Sequence, residues 1–428
     1  MIKSEKILIK GGTLIDPSSG WSGEGDLYIE DGIIRQAPSD LKGVKKINAK
    51  GQWVVPGLVD LHVHFRDPGQ THKEDIKSGL NSAIRGGFTT VCTMPNTAPT
   101  VDSPELIKYQ IETAEKLGLG RILPVSALTY GLEGARVVNM EQNQRAGAVA
   151  FSDDGKSVMS GDTLEEMFKM ASEVKALVMV HCEDPSMNPN DNASEWTIVK
   201  RDIDLAIKYN VRLHICHVSA KESVDLIRQA KRTHPGLITA EVSPHHIALT
   251  SSHVKGNTNF KMAPPLRSEQ DRQAMIAGLV DGTIDCIATD HAPHAKKEKD
   301  VEWDKAPNGI IGLETAVGVV LTEMYHDQKL SREKVVAMMS SNPARIIGRS
   351  ASLSVGAVAD IAIIDPNKTW VPLTYLSKSE NSPFTGRKLK GKVTTTIFNG
   401  RVVYKGKKTD METMISMAAG ALLLLGGE

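Results

Sequence analysis

The stretch GLVDLHVHF (residues 57–65) decides the fold, because it is an apolar run that turns polar at its carboxyl end. Seven runs of the same kind follow, separated by amphipathic helical stretches such as DTLEEMFKMASEV (162–174). They are FTTVCTMPN (88–96), RILPVSAL (121–128), AVAFSDD (148–154), LVMVHCED (177–184), RLHICHVS (212–219), LITAEVSPHH (237–246) and IDCIATDHAPH (284–294). Strand and helix repeated eight times predict an α/β protein with a (β/α)8 TIM barrel. An open doubly wound sheet is the alternative, but no GxGxxG motif follows the first run to support it.

Both chain ends have a different pattern, in which short alternating strands are broken by glycine-containing turns. KILIKGGTLID (6–16) is an example near the start, and KGKVTTTIFNGRVVYKGK (390–407) is one near the end. We therefore predict a small composite β-sandwich domain made from residues 1–56 and 345–408, with the barrel formed by residues 57–344. Residues 409–428 are a tail of unknown role, and its apolar run is too short to span a membrane.

The composition is that of an ordinary folded protein. Of 428 residues, 40% are hydrophobic, and 51 basic residues balance 51 acidic ones, so the formal charge is zero. This balance argues against nucleic acid as the main partner, and the apolar content excludes a disordered or collagen-like chain. Four scattered cysteines suit a reducing compartment, and the N-terminus has no signal-peptide pattern. We expect a cytoplasmic protein.

Polar side chains gather at the carboxyl ends of the predicted barrel strands, where barrel active sites are built. His62 and His64 are two apart on one strand, so both face the same side, and Arg66 continues that parity. The other candidates on strand ends are Asn96, Asp153, Asp154, His181, His217 and Asp290. By the same parity, His214 faces away from His217 and is expected to pack, and His245 and His246 are expected to be structural.

Four histidines and two carboxylates are more ligands than one tetrahedral zinc ion needs. They predict two metal ions that share a bridging carboxylate and a bridging hydroxide, which supplies a nucleophile near neutral pH. Asp290 is then the proton shuttle, which accepts the proton of the hydroxide and gives it to a departing nitrogen. The predicted reaction is hydrolysis of an amide or imide.

A family resemblance rests on HVHFRDPGQTHKEDIKSG (62–79) and on seven shorter motifs. These are CTMPNT (92–97), AFSDDG (150–155), HCED (181–184), HICHVS (214–219), PPLR (264–267), ATDHAPH (288–294) and GIIGLET (309–315). Together they resemble the class I dihydroorotases, which are cyclic amidohydrolases of the amidohydrolase superfamily. The resemblance implies a metal-dependent barrel that interconverts dihydroorotate and N-carbamoyl-aspartate, the third step of pyrimidine biosynthesis.

The resemblance also implies residue roles and partners. One zinc would be held by His62, His64 and Asp290, and a second by His181 and His217. Asp154 would bridge them, with Asp153 as the alternative. Substrate contacts would come from Arg66, Asn96, His294 and the backbone near Gly309; the Arg66 fork suits a carboxylate. A homodimer is expected, and aspartate transcarbamoylase is a possible partner.

Two other functions remain open. Hydantoinases, dihydropyrimidinases and allantoinases bridge their metals with a carboxylated lysine on this strand, but AVAFSDD has none and Lys156 lies past the turn. A non-catalytic scaffold is the other alternative, and retention of all six ligands argues against it. The chain departs from the family at Ala263, where an Asn is usual, and in a shorter connection over residues 184–202. KKEKD (296–300) is predicted to be a solvated loop, whose lysines could alternatively steer a dianionic substrate.

Overall fold

The structure, a computed structural model, describes residues 5–406. The predicted tail of residues 409–428 lies outside this range. Residues 5–406 form two sheets, and segments near both ends of this range form the first. Its strands are β1 (Ile7–Asp16), β2 (Trp21–Glu30), β3 (Ile33–Arg35), β4 (Lys45–Asn48), β5 (Trp53–Pro56), β14 (Ile361–Trp370), β15 (Leu389–Phe398) and β16 (Arg401–Lys405). They are ordered β16-β15-β14-β5-β1-β2-β3, and β4 pairs with β1.

The second sheet is a parallel barrel whose strands neighbour one another in chain order. They are β6 (Leu58–Val63), β7 (Phe88–Thr93), β8 (Arg121–Ser126), β9 (Ala150–Phe151), β10 (Leu177–Val180), β11 (Arg212–Ile215), β12 (Ile238–Val242) and β13 (Cys286–Ile287). The ring closes where the His64 N–H donates to the His291 carbonyl at 2.8 Å, beside a parallel bridge between Val63 and His291. The predicted fold class is confirmed, and the open-sheet alternative is wrong. The exact domain boundaries stay a prediction.

Helices lie between and after the barrel strands along the chain. They are α1 (Ile76–Arg85), α2 (Pro104–Leu117), α3 (Met140–Ala146), α4 (Gly161–Glu173), α5 (Ala193–Tyr209), α6 (Lys221–Thr233), α7 (Pro244–Ala248), α8 (Glu269–Asp281), α9 (Lys296–Lys299), α10 (Ala316–Val320), α11 (Arg332–Met339) and α12 (Ser341–Ile346). Side-chain caps start several of them, as where the Asp75 carboxylate accepts from the Ser78 N–H at 2.8 Å. Among the helices of residues 5–406, none is both long enough and apolar enough to cross a membrane.

The barrel strands end earlier than the sequence pattern predicts, and their polar ends lie on the loops that follow. β11 ends at Ile215, before His217, and β13 ends at Ile287, before Asp290. Three of these loop residues have left-handed backbone conformations: Arg66 (φ 57°), His217 (φ 33°) and Asp290 (φ 46°). Such conformations in non-glycine residues cluster at functional sites, because the surrounding structure must hold them. The functional site is therefore expected at the mouth of the barrel.

Candidate metal centre and substrate pocket

The first half of the site joins the two histidines of the first barrel strand to two carboxylates. His62 Nε2 lies 3.2 Å from Asp154 Oδ1, and His64 Nε2 lies 3.4 Å from Asp154 Oδ2. Asp290 Oδ1 lies 3.1 Å from His64 Nε2 and 3.7 Å from His62 Nε2. All four side chains are buried. Residues from strand ends far apart in the chain thus meet at one point.

The second half adds the histidines that follow β10 and β11. His181 Nδ1 lies 3.1 Å from His217 Nε2. Asp154 Oδ1 is 3.6 Å from His217 Nε2 and 3.9 Å from His181 Nδ1. The carboxylate of Asp154 therefore lies between the two histidine pairs, which is the position that a bridging ligand needs.

These residues fit a metal ion. Tetrahedral zinc ligands about 2.1 Å from the metal lie about 3.4 Å from one another, which is close to the separations above. His62, Asp154 and His217 form one group of potential ligands, and His62, His64 and Asp290 form another. Within residues 5–406, the buried atoms His62 Nε2 and Asp154 Oδ1 have no hydrogen-bond partner. Buried polar atoms rarely lack a partner, and a bound cation would give one to both His62 Nε2 and Asp154 Oδ1.

Asp153, the alternative bridge, points elsewhere. Its Oδ1 accepts from the backbone N–H groups of Leu128 and Thr129 at 2.8 and 2.9 Å, and its Oδ2 accepts from the Thr129 hydroxyl. Asp153 thus holds the loop after β8, and the geometry favours Asp154 as the bridge.

Three of the four histidines are oriented by a second side chain. His62 Nδ1 lies 3.0 Å from Glu241 Oε1, His64 Nδ1 lies 2.8 Å from Asn96 Oδ1, and His181 Nε2 lies 2.9 Å from Glu183 Oε2. Each oxygen can accept the N–H of its imidazole, which leaves the opposite nitrogen free to bind a metal. Asn96, predicted to contact substrate, therefore already uses its carbonyl oxygen on His64.

Sequence reasoning missed Glu241, although a signal was present. An acid in the middle of the apolar run LITAEV is costly to bury unless it has partners. Burial alone would raise the pKa of Glu241, but hydrogen bonds from His214 and His62 outweigh it and lower the pKa to about 2. Asp60, another acid inside a barrel strand, accepts from the backbone N–H groups of His62 and Thr289, both at 3.1 Å. It ties the first strand to the last.

The prediction that His214 faces away from His217 was wrong. His214 Nε2 lies 3.0 Å from Glu241 Oε2, inside the barrel, so His214 and His217 both turn toward the interior. Alternation applies only within a strand, and the left-handed backbone at His217 reverses its direction. His245 and His246 are buried on α7, where His246 Nε2 lies 3.1 Å from the Pro264 carbonyl, and their structural role stays a prediction.

Arg66 and His294 lie together, and Arg66 is near the candidate metal ligands His64 and Asp290. Arg66 Nε donates to the Pro293 carbonyl at 3.3 Å, and its Nη2 lies 3.4 Å from His294 Nε2. Arg66 is 8% exposed, yet it forms no ion pair with any carboxylate of residues 5–406. Burial lowers the pKa of Arg66 to about 10, and burial with the Arg66 charge lowers the pKa of His294 to about 3. His294 is therefore neutral at pH 7, and Arg66 keeps its charge.

Gly309 closes this pocket from one side. Its φ of 149° and the short distance from an added Cβ to the Ala292 carbonyl, 2.6 Å, exclude a larger residue. Its N–H donates to the Lys261 carbonyl at 2.9 Å, and its carbonyl accepts from Asn381 Nδ2 and Lys299 Nζ. The predicted substrate contact of Gly309 stays a prediction, and both of its backbone groups already have partners.

The prediction that KKEKD is a solvated loop was wrong for its fourth residue. Residues Lys296–Lys299 form α9, and Lys299 is 3% exposed. Lys299 Nζ donates to the carbonyls of Lys261, Pro307 and Gly309 at 3.3, 2.9 and 3.1 Å. A lysine whose ammonium satisfies three buried carbonyls can be buried, and this one fixes the Gly309 loop.

Almost the whole chain is similar to proteins of one known family. The Amidohydrolase family profile matches residues 53–403. A dihydroorotase of Clostridioides difficile (strain 630) is 44% identical over 421 residues, which are 93% of this chain and 99% of that protein. A dihydroorotase of Desulforapulum autotrophicum is 42% identical over 425 residues, with 93% and 99% covered.

The chain belongs to the dihydroorotase family of amidohydrolases.

Solved structures agree with the fold of this family. The L-hydantoinase (dihydropyrimidinase) from Arthrobacter aurescens is 26% identical, with a TM-score of 0.84 over 95% of this chain and 97% of that one. A dihydropyrimidinase from Brevibacillus agri is 22% identical, with a TM-score of 0.79 over 94% and 95%, which shows the fold alone. Sequence similarity to dihydroorotases is thus much higher than to the structural neighbours with other names.

In the described part of this dihydroorotase family member, a carboxylate and not a lysine lies between the two histidine pairs. Lys156, the lysine nearest to Asp154 in the chain, donates through Nζ to the Leu132 carbonyl at 3.0 Å. Its ammonium is thereby directed to that carbonyl, and the central position between the histidine pairs belongs to Asp154. A cavity of about 360 Å³ also opens at the other end of the barrel, near Arg121 and Arg349, and its lining includes none of the predicted site residues.

Proposed function

We propose that this chain is a zinc-dependent dihydroorotase that reversibly hydrolyses (S)-dihydroorotate to N-carbamoyl-L-aspartate, in the third step of de novo pyrimidine biosynthesis. The observation that carries the substrate assignment is Arg66. It is a buried cation without an ion pair among the described residues, next to the metal-ligand cluster.

An unpaired buried guanidinium is costly, because it has lost water without gaining a counter-ion. A ligand carboxylate would remove that cost and could accept two parallel hydrogen bonds from the Arg66 fork. Dihydroorotate has such a carboxylate on its ring, whereas hydantoin and dihydrouracil are uncharged rings. The position of Arg66 therefore favours dihydroorotate over the substrates of the related cyclic amidases.

We propose two zinc ions, the first held by His62, His64 and Asp290 and the second by His181 and His217, with Asp154 shared. When bound, they would supply an ionised water as nucleophile near neutral pH and would polarise the scissile carbonyl. His64 and His181 are kept in metal-binding tautomers by Asn96 and Glu183. The amide NH2 of Asn96 remains available to a substrate oxygen.

We assign the proton transfer to Asp290. Burial opposes ionisation of Asp290, but its 3.1 Å contact with His64 Nε2 outweighs burial, so the pKa of Asp290 is lowered and it is a carboxylate at neutral pH. In the proposed hydrolysis Asp290 accepts a proton from the attacking water and returns it to the ring nitrogen that leaves. Neutral His294 lies beside Arg66 and would help to hold the substrate carboxylate side of the ring.

A side-by-side assay tests this function. Zinc-loaded full-length protein is incubated with dihydroorotate, dihydrouracil, hydantoin and allantoin, and loss of each ring is followed. We expect turnover of dihydroorotate at a kcat/KM at least about 100-fold above the others, which is the energy scale of one charge-assisted contact. Turnover of an uncharged ring with none of dihydroorotate would make the chain a related cyclic amidase. No turnover, with less than about half an equivalent of zinc retained, would favour the scaffold alternative.

We also propose that the enzyme acts as a homodimer in the cytoplasm and that aspartate transcarbamoylase is a candidate partner. Four free, buried cysteines support a reducing compartment. Light scattering of the purified chain, alone and with the partner enzyme, tests the assembly. A single mass equal to the monomer at all concentrations would contradict the dimer.

A further inference from the structure

A buried carboxylate beneath the candidate metal centre joins two imidazoles. Glu241 lies on β12 and is 0% exposed. Its Oε1 is 3.0 Å from His62 Nδ1, and its Oε2 is 3.0 Å from His214 Nε2. The proposed function gives neither Glu241 nor His214 a role in metal binding or catalysis.

The chemistry of the carboxylate decides where the imidazole protons are. An ionised carboxylate can only accept hydrogen bonds, so His62 must carry its proton on Nδ1 and His214 must carry one on Nε2. The lone pair of His62 is then on Nε2. That atom faces Asp154 Oδ1 at 3.2 Å and has no hydrogen-bond partner among the described residues.

The imidazole of His214 is held in place by a further contact. His214 Nδ1 lies 2.8 Å from the hydroxyl of Thr239, two residues before Glu241 on the same strand. The backbone N–H of His62 donates to Asp60 Oδ1 at 3.1 Å, so the main chain of His62 is held separately from its ring. The ring orientation of His62 therefore depends on Glu241, and that of Glu241 depends on His214.

We propose that Glu241, supported by His214, is a positioning residue that fixes the tautomer and ring orientation of His62 and so strengthens the metal site that His62 shares with His64 and Asp290. A carboxylate partner makes an imidazole a stronger donor to a metal and prevents its rotation. The inference rests on the metal centre of the proposed function, but not on the identity of the substrate.

The effect is specific to one site for a structural reason. His64 is oriented by the neutral amide of Asn96, and His181 by Glu183, which is only partly buried. Glu241 contacts neither of those histidines. Removal of the Glu241 carboxylate should therefore lower the metal affinity of the site that contains His62 more than that of the site formed by His181 and His217.

Metal affinity, rather than activity, tests this inference. Metal-free full-length protein is titrated with Zn²⁺ in competition with a chromogenic chelator, and the absorption spectrum of the Co²⁺-loaded protein reports the ligand geometry. In Glu241→Gln the new amide offers one acceptor and one donor, so it can accept from only one of the two imidazoles. We expect the affinity of one metal equivalent to fall by about 10- to 100-fold and the Co²⁺ spectrum to change.

His214 supplies a test that leaves the carboxylate in place, in case Glu241→Gln does not fold. His214→Leu removes the donor to Glu241 and should weaken the same metal equivalent by a smaller factor. His214→Gln keeps an N–H donor near the position of Nε2 and should restore most of the affinity. Asp16→Asn is the matched control, because Asp16 is a buried carboxylate of the other sheet that bonds Ser18 and Leu353. It should leave both metal affinities unchanged.

The outcomes separate this inference from the proposed function. If folded Glu241→Gln and His214→Leu bind both metals with wild-type affinity and an unchanged Co²⁺ spectrum, Glu241 has no positioning role, whatever the enzyme hydrolyses. If the variants lose affinity but the wild-type protein does not consume dihydroorotate, the positioning role stands and the substrate assignment is wrong.

Discussion

Asp154 and Asp153 are neighbours in the chain, but their carboxylates serve different parts of the molecule. Asp154 Oδ1 lies 3.2 Å from His62 Nε2 at the candidate metal centre, whereas Asp153 Oδ1 accepts from the Leu128 N–H at 2.8 Å in a loop. Both residues lie on the loop that follows β9 (Ala150–Phe151), and their different contacts leave only Asp154 facing the histidines.

This pair makes a matched test of the bridging ligand. Asp154→Asn removes the charge between the histidine pairs, and we expect zinc content to fall by at least one equivalent with loss of turnover. Asp153→Asn should retain zinc but lower the melting temperature, because it weakens the loop after β8. Elemental analysis and thermal unfolding measure both. Zinc loss in Asp153→Asn with full zinc in Asp154→Asn would reverse the assignment.

Arg66 should determine the affinity for an anionic ring. Arg66→Met keeps much of the side-chain volume but removes the charge, so KM for dihydroorotate should rise about 10- to 100-fold, the range expected for a charge-assisted hydrogen-bonded pair. Steady-state kinetics measures this, with the exposed Arg345→Ala as control. An unchanged KM would show that the carboxylate is bound elsewhere.

The same substitution should stabilise the protein without substrate. A buried cation that lacks a counter-ion destabilises the folded state, and an apolar side chain of similar size does not have that cost. We expect the melting temperature of substrate-free Arg66→Met to equal or exceed that of the wild type, while stabilisation by dihydroorotate is lost. Scanning calorimetry with and without ligand tests this. A marked decrease without ligand would mean that Arg66 has a structural role.

Asp290→Asn should separate proton transfer from folding. The amide has nearly the same volume as the carboxylate but cannot accept the proton, so kcat should fall by about 100-fold or more. Circular dichroism and the melting temperature should stay near the wild-type values. If kcat remains within about threefold, another group is the proton acceptor.

Because Lys299 is buried, we expect the free energy of unfolding to depend on pH. Burial, with a smaller effect of the Lys261 charge, lowers the pKa of Lys299 to about 8 from its ordinary value of 10.5. Between these two values the unfolded chain binds more protons at this lysine than the folded protein does. The contribution of Lys299 to the free energy of unfolding therefore rises as pH increases from about 8 to about 10.5.

Lys299→Met removes this titration, so we expect the difference in unfolding free energy between wild type and variant to grow with pH over that window. Urea unfolding at pH 7.5, 8.5 and 9.5 measures it, and the exposed Lys297→Met is the control on the same helix. If the unfolding free energies of the wild type and of Lys299→Met change in parallel between pH 7.5 and 9.5, Lys299 keeps an ordinary pKa.

The fold could be predicted because the burial of each strand is visible in its local pattern of apolar and polar residues. Each barrel strand is buried on both faces, so its apolar run is continuous, and each run turns polar where the strand opens to the site. His62, His64, Asp154, His181, His217 and Asp290 all follow this rule, and the structure brings all six together at the barrel mouth. Their metal-binding roles still need the experiments above.

What the sequence determined by itself is therefore the barrel, the end of it that carries chemistry, and the chain segments that reach this end. Only the tertiary structure decided which acid faces the histidines, that Glu241 bonds His62 and His214, and that Lys299 is buried. It also decided that Arg66 forms no ion pair with any carboxylate of residues 5–406. The reason is physical: alternation along a strand is a property of neighbouring residues, whereas a hydrogen bond or an unpaired charge depends on side chains brought together from distant parts of the chain.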